Sequence, residues 1–230
     1  MPSQLLTVVS WIALTVAFLS AGVILVDIYG RGHRQPMGVM EAVWPVTALY
    51  FGVVALVAYR RWGRSQSPTW VKEQGNDEAP ELPWFAQVAT GVAHCGAGCT
   101  LGDIVAEFGV FFLGFQFLGL ALPAEYLGDY SLALLLGIAF QYFAIAPMRG
   151  LGVRDGLRAA AKADVLSLTA FEVGLFGWMA LMAFVFYPNP HLQPSSPVYW
   201  FLMQLGMIIG FFTSWPMNVL LIRRGIKEVM

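Results

Sequence analysis

The sequence predicts an all-α, polytopic bundle of transmembrane helices, and three observations carry that prediction. Charged residues make up 12% of the 230, about half the roughly 25% of a soluble globular domain. Hydrophobic residues make up 58%. Uncharged runs near the ~20 residues that cross a hydrocarbon core of about 30 Å recur along the chain. These runs lack the ten-residue alternation of barrel strands, so helices are the fold that satisfies the backbone in lipid. Two cysteines are too few for a disulfide-stapled secreted domain. A formal net charge of -1 provides none of the basic surface that nucleic acid requires.

Six spans are expected. The first runs from Leu5 to Val26 and the second from Val39 to Tyr59, interrupted only by Glu41. The third lies within Pro83–Leu120, with its membrane part placed near Gly98–Leu120 and the earlier turns at the interface. The fourth is Tyr130–Met148, the fifth Asp164–Tyr187 and the sixth Val198–Ile222. No Lys or Arg precedes the first run, which is also longer than a signal-peptide core, so it reads as an anchor. The polar stretch between the second and third spans divides the chain into an N-terminal two-helix hairpin (1–64), a cytoplasmic linker (65–83) and a four-helix core (84–230).

Basic residues set the expected direction. Eleven Lys and Arg fall in the second loop (Arg60, Arg61, Arg64, Lys72), the fourth loop (Arg149, Arg154, Arg158, Lys162) and the tail (Arg223, Arg224, Lys227). Two, Arg31 and Arg34, fall in the first loop, and none in the third (Ala121–Asp129) or fifth (Pro188–Pro197). With six spans this split places both termini in the cytoplasm.

The densest chemistry lies in the third span, in the run His94-Cys95-Gly96-Ala97-Gly98-Cys99-Thr100-Leu101-Gly102-Asp103, followed by Glu107. Residues four apart share a helix face, so Cys95, Cys99, Asp103 and Glu107 form one polar stripe about 18 Å long. This stripe is expected to run from the cytoplasmic interface toward mid-membrane. A thiol pair at i and i+4 can share a soft ion such as copper or zinc, with His94 and Asp103 completing the ligand set. His94 points about 100° away from Cys95 on a regular helix, so its participation requires unwinding at Gly96 and Gly98. Packing is the competing reading, because Gly98-x-x-x-Gly102 also suits a close helix contact and buried cysteine behaves as a small hydrophobe.

Four acids, Glu41, Asp103, Glu107 and Glu172, fall within expected spans, with no Lys or Arg deep in any span. An uncompensated charge at the bilayer centre costs roughly 2.5–3.5 kcal/mol on insertion scales, so such groups are protonated, face water or bind a cation. Glu107 and Glu172 lie at similar depth and can meet. Gln141, Thr169, Thr213 and Asn218 are expected near the same level, giving an acidic polar pocket that favours cations over anions.

The runs His94–Asp103 (HCGAGCTLGD), Ile145–Gly150 (IAPMRG), Ala163–Thr169 (ADVLSLT) and Gly225–Glu228 (GIKE) resemble a bacterial membrane family known as domain of unknown function 4396. The resemblance covers Trp84–Met230 and implies a polytopic membrane fold without an assigned activity, so no catalytic residue carries over. The residues themselves support three readings. The first is binding, with transport, of copper or zinc; the second is a non-catalytic subunit or assembly factor of a membrane complex; the third is a membrane thiol oxidoreductase. The partners that suit this class are membrane lipids and a further subunit, either a second copy or a component of a membrane complex.

Overall fold

The computed structural model describes residues 2–117 and 119–227, without the side chain of Met148. Glu228 of the GIKE run and the last residues of the 84–230 segment lie outside the described residues. Among those described, the chain is helical, with an isolated β-bridge between Phe117 and Leu120 and no strand.

Ser3 opens α1 (Gln4–Leu25), its hydroxyl accepting from Leu6 N at 3.2 Å. A π-helical turn, Val26–Gly30, extends the helix. After a loop come α2 (Met40–Phe51), α3 (Val53–Ala58) and the short α4 (Pro68–Glu73) of the linker. The remaining helices are α5 (Trp84–Leu113), α6 (Ala121–Arg149), α7 (Val153–Leu181, extended by the π-helical turn Met182–Phe186) and α8 (Pro197–Arg223).

Five helical segments are long and apolar enough to cross a membrane: Gln4–Gly30, Trp84–Leu113, Ala121–Pro147, Val153–Phe186 and Pro197–Arg223. The protein is therefore a multi-pass membrane protein, with five such helices and not the six expected. The difference lies at Val39–Tyr59, where Gly52, at φ 54° and ψ -126°, breaks the run into two short helices. Only a residue without Cβ adopts such a conformation readily, and it reverses the chain. The limbs come back alongside each other: Trp44 meets the Tyr59 ring at 5.7 Å and a Cβ on Gly63 would fall 2.5 Å from Trp44. A hydrophobic helix of 12 residues is the length expected of a re-entrant segment.

The contacts at either end of this hairpin fix where it goes. At its base, Tyr59 Oη donates to Asp27 Oδ2 at 2.9 Å, Arg64 lies 3.9 Å from Asp27, and Arg34 Nε donates to Glu41 at 2.6 Å. That bond holds the Arg34 guanidinium further above its ordinary range. At its tip, Leu49 O accepts from Gln204 Nε2 at 2.6 Å, Phe51 packs on Phe211, and Gly52 faces Val16. These partners sit well inside α8 and α1, so the tip reaches the interior of the bundle and the chain then returns. The first and second loops consequently share one end of the molecule.

His33 ties that end together. Its Nδ1 lies 3.1 Å from Asp27 Oδ2 and its Nε2 lies 3.2 Å from Glu73 Oε2, while its ring meets Trp70 edge-on. Arg64 stacks over the Trp70 ring, 4.0 Å from its centroid. The linker helix α4 is thereby docked against the end of α1.

Helices α5 to α8 pack antiparallel in sequence, and α5 meets α6 along small residues. A Cβ on Gly98 would lie 2.8 Å from Gly137 Cα, and one on Gly102 would lie 2.5 Å from Ala133 N. The glycines thus permit backbone-to-backbone approach within the chain. Helix α5 spans Trp84–Leu113 as one unbroken rod that stops at the left-handed Gly114. The helix therefore ends short of Leu120, and His94–Cys99 lies at its middle.

Two tests follow from this packing. Gly102→Ala should lower the thermal unfolding midpoint of the detergent-purified protein, in line with the ~1–3 kcal/mol of overpacking. Gly109→Ala, whose Cβ meets nothing within 4 Å, should leave the midpoint nearly unchanged. His33→Ala should speed limited proteolysis across residues 74–83 several-fold, with the membrane helices still protected.

Candidate metal and cation site

The polar side chains of the bundle form a column along α5, built by the register of α5 against α6, α7 and α8. Helix α5 contributes His94, Cys95, Cys99, Asp103 and Glu107, each fully buried at 0% exposure. A regular helix places the last four on one face, so the expected stripe exists in the folded chain.

Helix α7 supplies the facing carboxylates. Asp164 lies beside the Cys95 thiol and Glu172 beside the Cys99 thiol, and the two thiols neighbour each other. Neither carboxylate meets hydrogen-bond geometry with a neighbour among the described residues. Tyr50, from the re-entrant tip, is buried over the same level: a Cβ on Gly96 would sit 3.0 Å from its hydroxyl, which has no hydrogen-bond partner.

Beyond Cys99 the column becomes all-oxygen. Asp103 neighbours both Glu172 and Glu107, and Glu107 is joined by Asp129 of α6 and by the Tyr199 hydroxyl of α8. None of these groups has a hydrogen bond of good geometry. Glu125 lies next to this cluster and lines, with Tyr199, His191 and Gln193, a cavity of about 420 Å³ at that end of the bundle. Glu107 and Glu172 thus belong to one cluster, with Asp103 and Asp129 each neighbouring both.

Toward the other end, the column closes on a hydrogen-bonded network. Asn218 Nδ2 donates to Ser167 Oγ at 2.7 Å and to Ser214 Oγ at 2.8 Å. Lys227 donates to Asn218 Oδ1 at 2.7 Å and to Gly91 O at 3.0 Å, and lies 4.0 Å from Asp164. It is the only buried lysine or arginine among the described residues.

The remaining expected residues are dispersed. His94 turns toward α6, its ring edge-on to Phe140 at 6.3 Å, and neither ring nitrogen has a hydrogen-bond partner. By the α5–α6 register Gln141 lies at the same level, buried and likewise without a hydrogen-bond partner. Thr169 Oγ1 lies 3.0 Å from Tyr130 Oη, and Thr213 donates to Ala170 O at 2.8 Å. Both threonines thus join helices rather than line one pocket with Glu172.

Sequence reasoning missed three members of the column. Asp129 belongs to α6 and not to a loop, a start that Pro123 in the first helical turn signals. Asp164 stood at a span boundary, where its need for a counter-charge went unread. Lys227 was counted with the tail cations, yet Gly225 at φ 65° turns it back into the core.

Chemically, the column brings two thiols and up to six carboxyl groups together with one ammonium at its end. No group of three or more His, Cys, Asp or Glu among the described residues stands ready to hold a metal ion in this conformation. With one buried lysine and no buried arginine among the described residues, acids so placed are protonated, face water or bind a cation.

Fold and column together define a multi-pass helical membrane protein with a buried thiol–carboxylate line through its core. Residues 84–227, more than half the chain, match the family described as Domain of unknown function (DUF4396), and the protein belongs to that family. No curated protein and no solved structure matches the chain.

Proposed function

We propose that the protein binds a soft transition-metal ion, copper or zinc, at Cys95 and Cys99 and passes it along the column across a bacterial cytoplasmic membrane. The observation that carries this reading is that each thiol has a carboxylate of α7 beside it inside the bundle. Two sulfur and two oxygen donors from two helices suit zinc, and the thiol pair alone suits Cu(I). In this reading Asp164 and Glu172 take the places expected of His94 and Asp103. A bound ion displaces the thiol protons and neutralises carboxylates that otherwise lack a partner.

The re-entrant hairpin supports the same reading by bringing an oxygen donor, the Tyr50 hydroxyl, over Gly96 at the level of the thiols. Irregular backbone at such depth is tolerated where protein or water covers it.

This reading also sets the direction of the chain. With five crossings and one re-entrant hairpin, all 13 Lys and Arg residues fall at one end of the bundle. A division of 13 to none obeys the positive-inside rule better than the 11 to 2 of six spans. That end faces the cytoplasm and carries the described C-terminal residues, while α1 begins on the opposite side. The alternative of a non-catalytic subunit joined through Gly98 and Gly102 is weaker, because Gly137 and Ala133 already cover both glycines.

Purified full-length protein should bind about one zinc or Cu(I) ion per chain, and Cys95→Ser with Cys99→Ser should reduce the bound metal by ~10-fold or more. His94→Gln should retain it. Equal trace metal in all three samples refutes the reading. Topology is tested separately in cells with a serine background at Cys95 and Cys99. A cysteine at Gly38, which is exposed with open space around its Cβ, should resist an impermeant maleimide applied from outside, whereas Ser3→Cys should react. Six spans require Gly38→Cys to react and Ser3→Cys to resist.

A further inference from the structure

We infer that Gly91 O, Asn218 Oδ1 and Asp164 form a cation station at the cytoplasmic end of the column, occupied at rest by the Lys227 ammonium and yielded to the divalent cation that reaches the thiols. The inference rests on the metal reading of Cys95 and Cys99 and adds to it a second site and its resident.

The geometry is that of a built site. The Lys227 side chain is 0% exposed, and its ammonium, a group with three donors, faces three oxygens at 2.7, 3.0 and 4.0 Å. Asn218 is oriented for this role, since its Nδ2 is held by Ser167 and by both the hydroxyl and carbonyl oxygens of Ser214. Its Oδ1 is thereby left to point at the lysine. A carbonyl, an amide oxygen and a carboxylate form an all-oxygen set suited to a hard or borderline cation.

Asp164 links this station to the thiols. The same carboxylate stands beside Cys95 and 4.0 Å from Lys227, so it is the counter-charge for which an ion at the thiols and the ammonium compete. A divalent ion that engages Asp164 leaves the lysine buried without its partner and next to a second positive charge. A buried charge stripped of its partner is strongly disfavoured. The tail has the means to leave, because Lys227 lies two residues beyond Gly225, whose positive φ makes the reversal into the core. Withdrawal of the ammonium opens Gly91 O and Asn218 Oδ1 to the moving ion. A lysine that served only to staple the tail would stay buried whether or not metal was bound.

The chain's three lysines make the distinction measurable, since Lys72 and Lys162 are exposed and act as internal standards. Detergent-solubilised full-length protein is treated with an amine-acetylating succinimidyl ester, with and without zinc chloride. Acetylation at each lysine is read by peptide mass spectrometry and zinc content is measured on the same samples. Without zinc, Lys227 should react ~10-fold or more slowly than Lys72, and zinc should raise its rate about fivefold or more without altering Lys72 or Lys162, as expected for release of a locally protected segment. The Cys95→Ser, Cys99→Ser protein should show no zinc effect. In liposomes, Lys227→Gln should take up zinc several-fold faster than the unaltered protein at unchanged zinc stoichiometry. Zinc bound with Lys227 still protected overturns the station alone, as does a Lys227 that reacts freely without zinc. No zinc bound by the unaltered protein overturns the metal reading and the station with it.

Discussion

The close approach of α5 and α6 through glycine is the constraint on which the rest depends. Because Gly98 and Gly102 present no side chain to Gly137 and Ala133, the two backbones touch and their relative height is fixed to within a residue. That height sets Glu107 against Asp129 and His94 level with Gln141. A bulkier residue at the seam would separate the helices and shift every polar group on α5 relative to its neighbours. Packing and chemistry were rival explanations of the motif's glycines and cysteines. In the folded chain they occupy different faces of one helix, and the first makes the second possible.

The helical membrane class was legible because it follows from composition, which no tertiary contact can override. The stripe Cys95, Cys99, Asp103 and Glu107 was legible for a similar reason, since a four-residue spacing needs only an unbroken helix. The second crossing was misread because hydropathy cannot tell a run that crosses from one that doubles back. The signal was a lone Gly52 at the middle of an apolar run, and its unusual backbone angles appear only in three dimensions. The limits of α5 were drawn too far along the chain because the apolar stretch continues beyond Gly114, where the helix stops.

The partners of the stripe were the least legible part. Asp164 and Glu172 were visible as acids, but their facing thiols depend on the rotation of α7 about its own axis, which sequence spacing does not encode. Lys227 was read from its position in the chain, beside Arg223 and Arg224, and a tail cation is ordinarily solvated. Its burial is compensated by groups elsewhere in the chain: Asn218 Oδ1 and Gly91 O accept from it, and the Asp164 carboxylate lies 4.0 Å away. Thr169 and Thr213 illustrate the opposite error, in which hydroxyls expected to line a pocket are instead spent on joining helices.

The reversal at Gly52 also bears on how the protein assembles. Its surrounding backbone is sheltered by Gln204 and Phe211 of α8 and lies over Gly96 of α5, all of which emerge from the ribosome later than the hairpin itself. Order of synthesis alone then makes the shelter of the hairpin tip complete only once α8 has been made, and the contacts that hold Tyr50 over Gly96 arise between segments about 45 residues apart.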